Sequence, residues 1–294
     1  MIRMGVNISL SCNIGTPVEL ELRLLPALTA QQRIGSEVLL VPSGARALPV
    51  RLGRHGQRLL DVQAAAGTLD IACSALVDVT PHFADPDTLD EAGVADLPFE
   101  VLPFLHESPL CPTEPLTRLA YRTFGRMRPG YARVATLCAC VRDRTRFDPS
   151  LAGTPKSALD TLLDKCGASE HFAQLAIALC RALFIPARLV STARPGDSGL
   201  HYCMEAYVGD RWYLFDPTGS APAAHLIRIA TGRDSSDLPS VSLHDQPYRG
   251  ACRMTITALH AARANDDANI PDGMAISIAA TERTDDREDR ASAA

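Results

Sequence analysis

Residues 164–190, DKCGASEHFAQLAIALCRALFIPARLV, contain an amphipathic helix that begins at Ser169. After this serine, apolar residues recur at the spacing of one helical face: Phe172, Leu175, Ala176, Leu179 and Leu183. The position of Ser169 at the helix start has two interpretations. Its hydroxyl could cap the free N–H groups of the first turn. It could instead be a nucleophile, because a helix N-terminus stabilises developing negative charge.

A nucleophile needs a base and a group that orients the base. His201 opens the predicted strand HYCMEAYV, and Asp216 closes the next strand, in RWYLFDP. A hairpin turn is predicted between the two strands at Gly209 and Asp210. Because the strands of a hairpin are neighbours, His201 and Asp216 should come together. The candidate catalytic residues are therefore Ser169, His201 and Asp216.

The order of this helix and these strands resembles the bacterial transglutaminase-like superfamily, of the cysteine protease type with an N-terminal transglutaminase-associated β domain. Its core motif runs approximately G-V-C-R-D-F-A-H-L, R-A-L-G-I-P-A-R, H-A-W-x-E and D-P-T. The corresponding segments here are GASEHFAQL, RALFIPARLV, HYCMEAYV and FDPTG. VELELRLLP and the HGQ turn resemble the family's β domain, and ATGRDSSDLPSV resembles the segment after D-P-T. The resemblance covers nearly everything except the tail.

The resemblance implies a papain-like, transglutaminase-like core. It also implies attack on a carboxamide or peptide carbonyl to form an acyl-enzyme, then release to water or an amine, with no cofactor or metal. Position by position, the family's nucleophile falls on Ser169, its histidine on His201 and its aspartate on Asp216. The expected partner is a peptide or protein amide substrate.

This chain departs from the family motif in three places. Ser169 replaces the cysteine, Phe184 replaces a glycine after the helix, and Tyr202-Cys203 replaces Ala-Trp. A cysteine can be held as a thiolate beside an imidazolium, whereas a serine must lose its proton during attack. Function therefore has two hypotheses: a serine-based amide hydrolase or acyltransferase, and a catalytically silent pseudoenzyme that binds a peptide or partner protein in its cleft. A further hypothesis is that Ser169 was introduced by engineering to trap an acyl substrate.

Neighbouring residues offer weaker candidates. If residues 166–169 were helical, Cys166 would lie one turn before Ser169 and could be an alternative nucleophile. Cys203, close behind His201 on its strand, is expected to point to the opposite face. His171 does not share the helix face of Ser169 and is not expected to be the base.

Two residues of the hairpin are candidate cleft residues. Glu205 has the strand parity of His201 and is expected either to contact the site or to form a charge pair at the sheet edge. Trp212, the single tryptophan, is expected in the core or, less simply, in the wall of a substrate cleft.

The chain divides into three predicted parts with an α+β fold. Alternating strands such as TPVELELRLLP, EVLLV and TLDIACSALVDV, with a turn at Gly56, predict an antiparallel β-sandwich-like domain over 1–105. Longer segments with helical spacing place the transglutaminase-like core at 106–262. The acid-rich remainder, 263–294, is predicted to be a disordered tail.

Composition limits the function classes. The net charge of −5, from 29 basic and 34 acidic residues, gives no general attraction for nucleic acid or acidic membranes. The start of the chain does not read as a signal peptide, and no long apolar run is present, so a cytoplasmic location is expected.

Nine scattered cysteines do not indicate a disulfide framework. Cys138 and Cys140 lack the second pair that a zinc site needs, so no metal is predicted there.

Overall fold

The computed structural model describes residues 1–220, 223–243, 246–260 and 273–279. Its helices are α1 (Glu114–Phe124), α2 (Tyr131–Arg144), α3 (Ala158–Asp164) and α4 (Ser169–Ala182). Its strands are β1 (Ile2–Ile14), β2 (Val18–Leu25), β3 (Gln32–Leu40), β4 (Ala45–Ala47), β5 (Arg51–Leu52), β6 (Arg58–Ala64), β7 (Gly67–Val79), β8 (His82–Ala84), β9 (Arg146–Phe147), β10 (Cys166–Gly167), β11 (Ala187–Ala193), β12 (His201–Val208), β13 (Arg211–Phe215), β14 (Ile227–Gly232), β15 (Val241–Leu243), β16 (Gln246–Pro247), β17 (Cys252–His260) and β18 (Ala275–Ser277). The predicted α+β class is confirmed.

Two antiparallel sheets form the β-sandwich. One has the strand order β17-β1-β7-β3, and the other has the order β16-β15-β2-β6-β4, with β5 paired to β6. Along β1 and β7, buried and exposed residues alternate with the strand period of two. The buried side chains of both sheets, such as Ile8 and Leu22, belong to one hydrophobic cluster. The alternation that predicted strands in VELELRLLP and TLDIACSALVDV therefore comes from this shared core.

The turn between β5 and β6 requires a glycine. Gly56 has a φ of +75°, and a Cβ at this position would lie 2.0 Å from the carbonyl oxygen of Leu28. No residue with a side chain fits there. The predicted turn at Gly56 is confirmed.

Strands from both ends of the chain complete the sandwich. β17 pairs with β1, and β15 pairs with β2, although both strands lie in the C-terminal part of the predicted core. The predicted core of 106–262 therefore includes strands that pair with the N-terminal sheets. Pairing between distant strands leaves no local sequence pattern, so the sequence did not reveal it.

A disulfide joins the two ends of the sandwich, and the expectation of no disulfide was wrong in this respect. Cys12 on β1 is bonded to Cys252 on β17, and the two residues are direct partners across the strands. They are 240 residues apart in sequence, which made their pairing invisible to spacing arguments. The other cysteines, all in the described ranges, are free thiols, and most of them are buried.

Part of the predicted disordered tail is ordered, which corrects that prediction. β18 pairs with β8, and the following Ile278 and Ala279 are buried. The apolar stretch AISIA provides side chains for this packing despite the acidic surroundings. Residues 263–272 and 280–294 of the predicted tail lie outside the described residues.

The transglutaminase-like core is built around α4. All residues of this helix are buried, and it contacts α1, α2 and α3 as well as β11 and β12. Those strands belong to a separate sheet with the order β13-β12-β11-β14. The predicted helix start at Ser169 and the hairpin at Gly209, which has a φ of +62°, are confirmed. Within the described ranges, no helix has the length and apolarity to cross a membrane.

The residue after the helix, Phe184, has backbone geometry that favours glycine. Its φ is +61°, in the left-handed region, and its side chain is 61% exposed. The sequence analysis identified this position as one where the family motif has a glycine. The backbone at Phe184 therefore has the conformation that a glycine at this motif position would adopt most easily.

Candidate active site

Ser169 is the first residue of α4, but it does not cap the helix. Its Oγ accepts a hydrogen bond from the backbone N–H of Tyr202 at 3.2 Å. Ala168 occupies the N-cap position, and its N–H donates to Nδ1 of His171 at 2.9 Å. The capping interpretation of Ser169 was therefore wrong, because its hydroxyl faces the start of β12 instead.

Both ring nitrogens of His171 are in use. Nδ1 accepts the Ala168 N–H, so Nε2 carries the proton and donates it to the carbonyl oxygen of Thr154 at 3.0 Å. The imidazole connects the start of α4 to the preceding loop. This is a structural role, and it agrees with the expectation that His171 is not the base.

His201 and Asp216 come together as the hairpin predicts. Nε2 of His201 lies 3.3 Å from Oδ2 of Asp216. His201 opens β12, and Asp216 directly follows β13, whose last residue is paired with Met204. The two side chains are only 3% and 4% exposed. Because the contact is shielded from water, it is stronger than a surface pair would be.

The turn after β13 holds the Asp216 carboxylate in place. Oδ1 accepts from the N–H of Thr218 at 2.9 Å and from its hydroxyl at 2.7 Å, and Oδ2 accepts from the N–H of Ser220 at 3.0 Å. Burial by itself raises the pKa of Asp216, but the contacts with His201 and Thr218 outweigh burial and lower it. The carboxylate is therefore ionised at neutral pH and can orient the imidazole.

Ser169 is hydrogen-bonded to the strand that carries His201. The N–H bonded to Ser169 belongs to Tyr202, the residue immediately after His201. Since Nε2 of His201 faces Asp216, Nδ1 is the ring nitrogen left for a nucleophile. The first N–H groups of α4 have no acceptor within the helix, and they lie at Ser169 and Glu170. An anion formed next to Ser169 would have donors nearby.

Glu170 is a buried acidic residue that the sequence analysis missed. Only 4% of it is exposed, and its Oε1 accepts the backbone N–H of Gly153 at 2.7 Å. Its place in the first turn of a helix favours a negative charge. An acidic residue directly after the nucleophile position was the available sequence signal.

Cys166 is not in helical continuity with Ser169. It lies on β10, which pairs in parallel with β9, so the assumed helix over 166–169 is wrong. Its sulfur is 3.8 Å from Nζ of Lys156, which also donates to the Cys166 carbonyl oxygen at 2.7 Å. The short strand separates Cys166 from the start of α4.

Cys203 is on the same face of β12 as His201, and the expectation that it points away was wrong. Residues two apart on a strand share a face. The Cys203 sulfur, a His201 ring nitrogen and an Asp216 oxygen all lie within 4.8 Å of one another. The strand period alone, correctly applied, would have placed Cys203 beside the pair.

Glu205 and Trp212 are in a buried ionic cluster rather than in an open cleft. Glu205 is completely buried and accepts hydrogen bonds from Arg188 Nε at 2.7 Å and from both terminal nitrogens of Arg228. Burial raises the pKa of Glu205, but Arg228 and Arg188 outweigh it and lower the pKa to about 2. Trp212 packs under Arg188, with the guanidinium carbon 3.9 Å from a ring centroid.

This ionic cluster also joins the two domains. Arg188 Nη1 lies 3.2 Å from Nδ1 of His55, which belongs to the turn between β5 and β6 of the sandwich. Phe104, in the segment that links the domains, contacts both His55 and Trp212 at ring edges. The cluster fixes the core sheet relative to the sandwich.

Known proteins are similar to this chain in sequence and in fold. Residues 117–217 match the model of the transglutaminase-like superfamily. A "putative cysteine protease" from Cytophaga hutchinsonii is 27% identical, with a TM-score of 0.80, and the match covers 89% of this chain and 91% of that one. No curated protein matches the chain.

More distant solved structures also match. The periplasmic domain of TgpA from Pseudomonas aeruginosa is 16% identical with a TM-score of 0.39, covering 73% of this chain and 87% of that one. A protease structure from Parabacteroides distasonis is 11% identical with a TM-score of 0.36, covering 76% and 48%. Residues 117–217 therefore match a transglutaminase-like core, and most of the chain shares its fold with the Cytophaga structure.

Proposed function

We propose that Ser169, His201 and Asp216 catalyse acyl transfer from a peptide or protein amide. The observation that carries this proposal is the buried contact of 3.3 Å between His201 Nε2 and Asp216 Oδ2, next to the start of α4. A histidine oriented by an ionised carboxylate is the arrangement that activates a neighbouring nucleophile. The Cytophaga relative, whose name is "putative cysteine protease", supports an amide as the substrate.

In the first step, Ser169 Oγ attacks the substrate carbonyl while its proton passes to Nδ1 of His201. The resulting imidazolium is stabilised by Asp216. The developing oxyanion is stabilised by N–H groups at the start of α4. Collapse of the tetrahedral intermediate transfers the proton to the leaving amine and leaves an acyl group on Ser169.

In the second step, His201 removes a proton from water or from an amine, which attacks the acyl-enzyme. The tetrahedral intermediate then collapses, the bond to Ser169 Oγ breaks, and His201 returns the proton to Oγ. Attack by water gives the acid and completes hydrolysis, and attack by an amine gives a new amide and completes transamidation. The same base and carboxylate serve both outcomes. The ratio of the products is set by which acceptor reaches the acyl group first.

The proposal is tested by trapping the acyl group. After mixing with 4-nitrophenyl acetate, we expect one acetyl group on the tryptic peptide 166–181, located at Ser169 by mass spectrometry. Ser169→Ala should remove this label, and His201→Ala should slow its formation by about a hundredfold or more. Cys166→Ser is the matched control for the nearby thiol and should keep the label. A label that survives Ser169→Ala would refute the assignment.

A silent binding module is the second candidate function. It is favoured by the burial of Ser169, which is 6% exposed, and by the bond that its oxygen already accepts from Tyr202. In this case peptides would bind in the cleft with an affinity unaffected by His201→Ala, and no acyl-enzyme would form.

A further inference from the structure

Among the described residues, His201, Cys203 and Asp216 form a group with the donors of a metal site. One ligand atom from each lies within 4.8 Å of the other two, and the His201 nitrogen and Asp216 oxygen are 3.3 Å apart. Cys203 is fully buried, and His201 is 2% exposed. Buried donors of this kind differ from acidic groups on a surface, since they are already gathered and desolvated.

The donor types suit Zn²⁺. A tetrahedral zinc ion binds thiolate sulfur at about 2.3 Å and imidazole nitrogen at about 2.0 Å, which places neighbouring ligand atoms roughly 3.3 to 3.7 Å apart. The nitrogen and oxygen already have this separation. The Cys203 sulfur would have to move towards the other two ligand atoms by about 1 Å at most, and a small side-chain adjustment can provide this movement.

The buried nitrogen of His201 is also poorly satisfied. Nε2 lies 3.3 Å from Oδ2 of Asp216 as an ion-pair contact, and among the described residues it makes no well-formed hydrogen bond. A buried polar atom without a well-formed bond is costly. A metal ion between the nitrogen, the carboxylate and the sulfur would satisfy it.

The surroundings support the same site. The bonds from Thr218 and Ser220 hold the Asp216 carboxylate in a fixed orientation, as outer partners do for metal ligands. Asp216 also lines a cavity of about 250 Å³ together with Arg142 and Gly219, so this ligand of the proposed site borders open space.

We propose that His201, Cys203 and Asp216 bind a zinc ion that inhibits the enzyme. Zinc takes the Nε2 position, so the neutral imidazole carries its proton on Nδ1. Nδ1 then cannot accept the proton of Ser169. The Cys203 thiol loses its proton on binding, so one proton is released for each ion bound. Inhibition rests on the proposed function, whereas metal binding does not.

Metal binding is tested first with Co²⁺ on the intact protein. We expect one Co²⁺ per chain with a thiolate-to-cobalt charge-transfer band in the near ultraviolet, displaced by Zn²⁺. Cys203→Ala should remove the band. Cys138→Ala, which removes a buried thiol near Met204, and Cys166→Ala, which removes a partly exposed one, should keep it. A band that survives Cys203→Ala, or no band in the unaltered protein, overturns the site.

A second measurement needs no variant. X-ray absorption of the zinc-loaded protein should show one sulfur at about 2.3 Å together with nitrogen and oxygen at about 2.0 to 2.2 Å. A shell without sulfur overturns the proposal.

If acyl transfer is detected, zinc should inhibit the unaltered enzyme at least tenfold more strongly than it inhibits the Cys203→Ala variant. Equal inhibition of the two would refute the regulatory role. If acyl transfer is never detected, the cobalt band and the sulfur shell still test the site.

Discussion

Tyr202 donates its backbone N–H to Ser169 Oγ at 3.2 Å, and this bond joins the start of α4 to the strand that carries His201. The bond uses a lone pair of the hydroxyl oxygen and leaves its O–H free to donate. Ser169, the proposed nucleophile, is therefore held beside the strand that carries His201 and keeps the proton that the proposed acyl transfer would move. This arrangement is the basis for the first prediction.

Ser169→Cys should create a reactive thiol. We expect iodoacetamide to alkylate it near pH 6 about tenfold or more faster than an ordinary cysteine, because an adjacent imidazolium stabilises a thiolate. The rate is measured by peptide mass spectrometry in a Cys166→Ser background, since both thiols lie on one tryptic peptide. Adding His201→Ala should remove the acceleration. Equal rates with and without His201 would favour the binding module.

Asp216→Asn should lower kcat of acyl transfer by about 10² to 10⁴-fold with a smaller effect on KM. The amide is uncharged and cannot stabilise the imidazolium that forms during attack. Steady-state kinetics on an ester substrate measure the change. Thr218→Val removes the hydroxyl bond to Asp216 and the hydroxyl's bonds with Ser220, but it keeps the backbone N–H bond to Asp216. It is the milder companion variant and should retain most of the activity. An Asp216→Asn enzyme with full kcat would contradict the role of the carboxylate.

Glu205→Gln should destabilise the protein by about 3 kcal/mol, because it leaves the buried Arg188 and Arg228 without their anion. The pKa of Glu205 is lowered from 4.5 to about 2 in the folded protein. As the pH falls, Glu205 is therefore protonated in the unfolded chain before it is protonated in the folded protein. The stabilisation is complete above about pH 4.5 and is lost progressively towards pH 2.

Urea unfolding at pH 6 and at pH 3 measures this effect. The difference in unfolding free energy between the unaltered protein and Glu205→Gln should be smaller at pH 3. A difference that is the same at both pH values would mean that the charge of Glu205 does not stabilise the cluster. Glu107→Gln, an exposed glutamate in the link between the domains, is a control that should change little.

Phe184→Gly should raise the unfolding free energy by about 1 kcal/mol. Its φ of +61° strains a residue with a Cβ, and the exposed ring contributes little burial. Thermal unfolding measures the gain. Phe184→Ala keeps the Cβ and should show no such gain, so equal stability of the two variants would argue against backbone strain.

Local patterns predicted the elements that position the site. The helical spacing after Ser169 gave α4, and the hairpin at Gly209 brought His201 to Asp216. Contacts between distant segments were not predictable in this way. The arginines that neutralise Glu205 come from β11 and β14, and the partner of Cys12 is on β17. Their pairing depends on the complete fold.

The bond between Cys12 and Cys252 has a mechanical consequence. The segment that forms the core leaves the sandwich after β7 and returns to it at β15, so it lies inside the covalent loop that this bond closes. Tension applied through residues 12 and 252 would be carried by the sulfur atoms and would bypass the core. A peptide-bond cut within the loop would likewise leave both pieces attached. A pulling force on the chain would therefore pass through the disulfide-linked sandwich and would not reach the segment that carries Ser169 and His201.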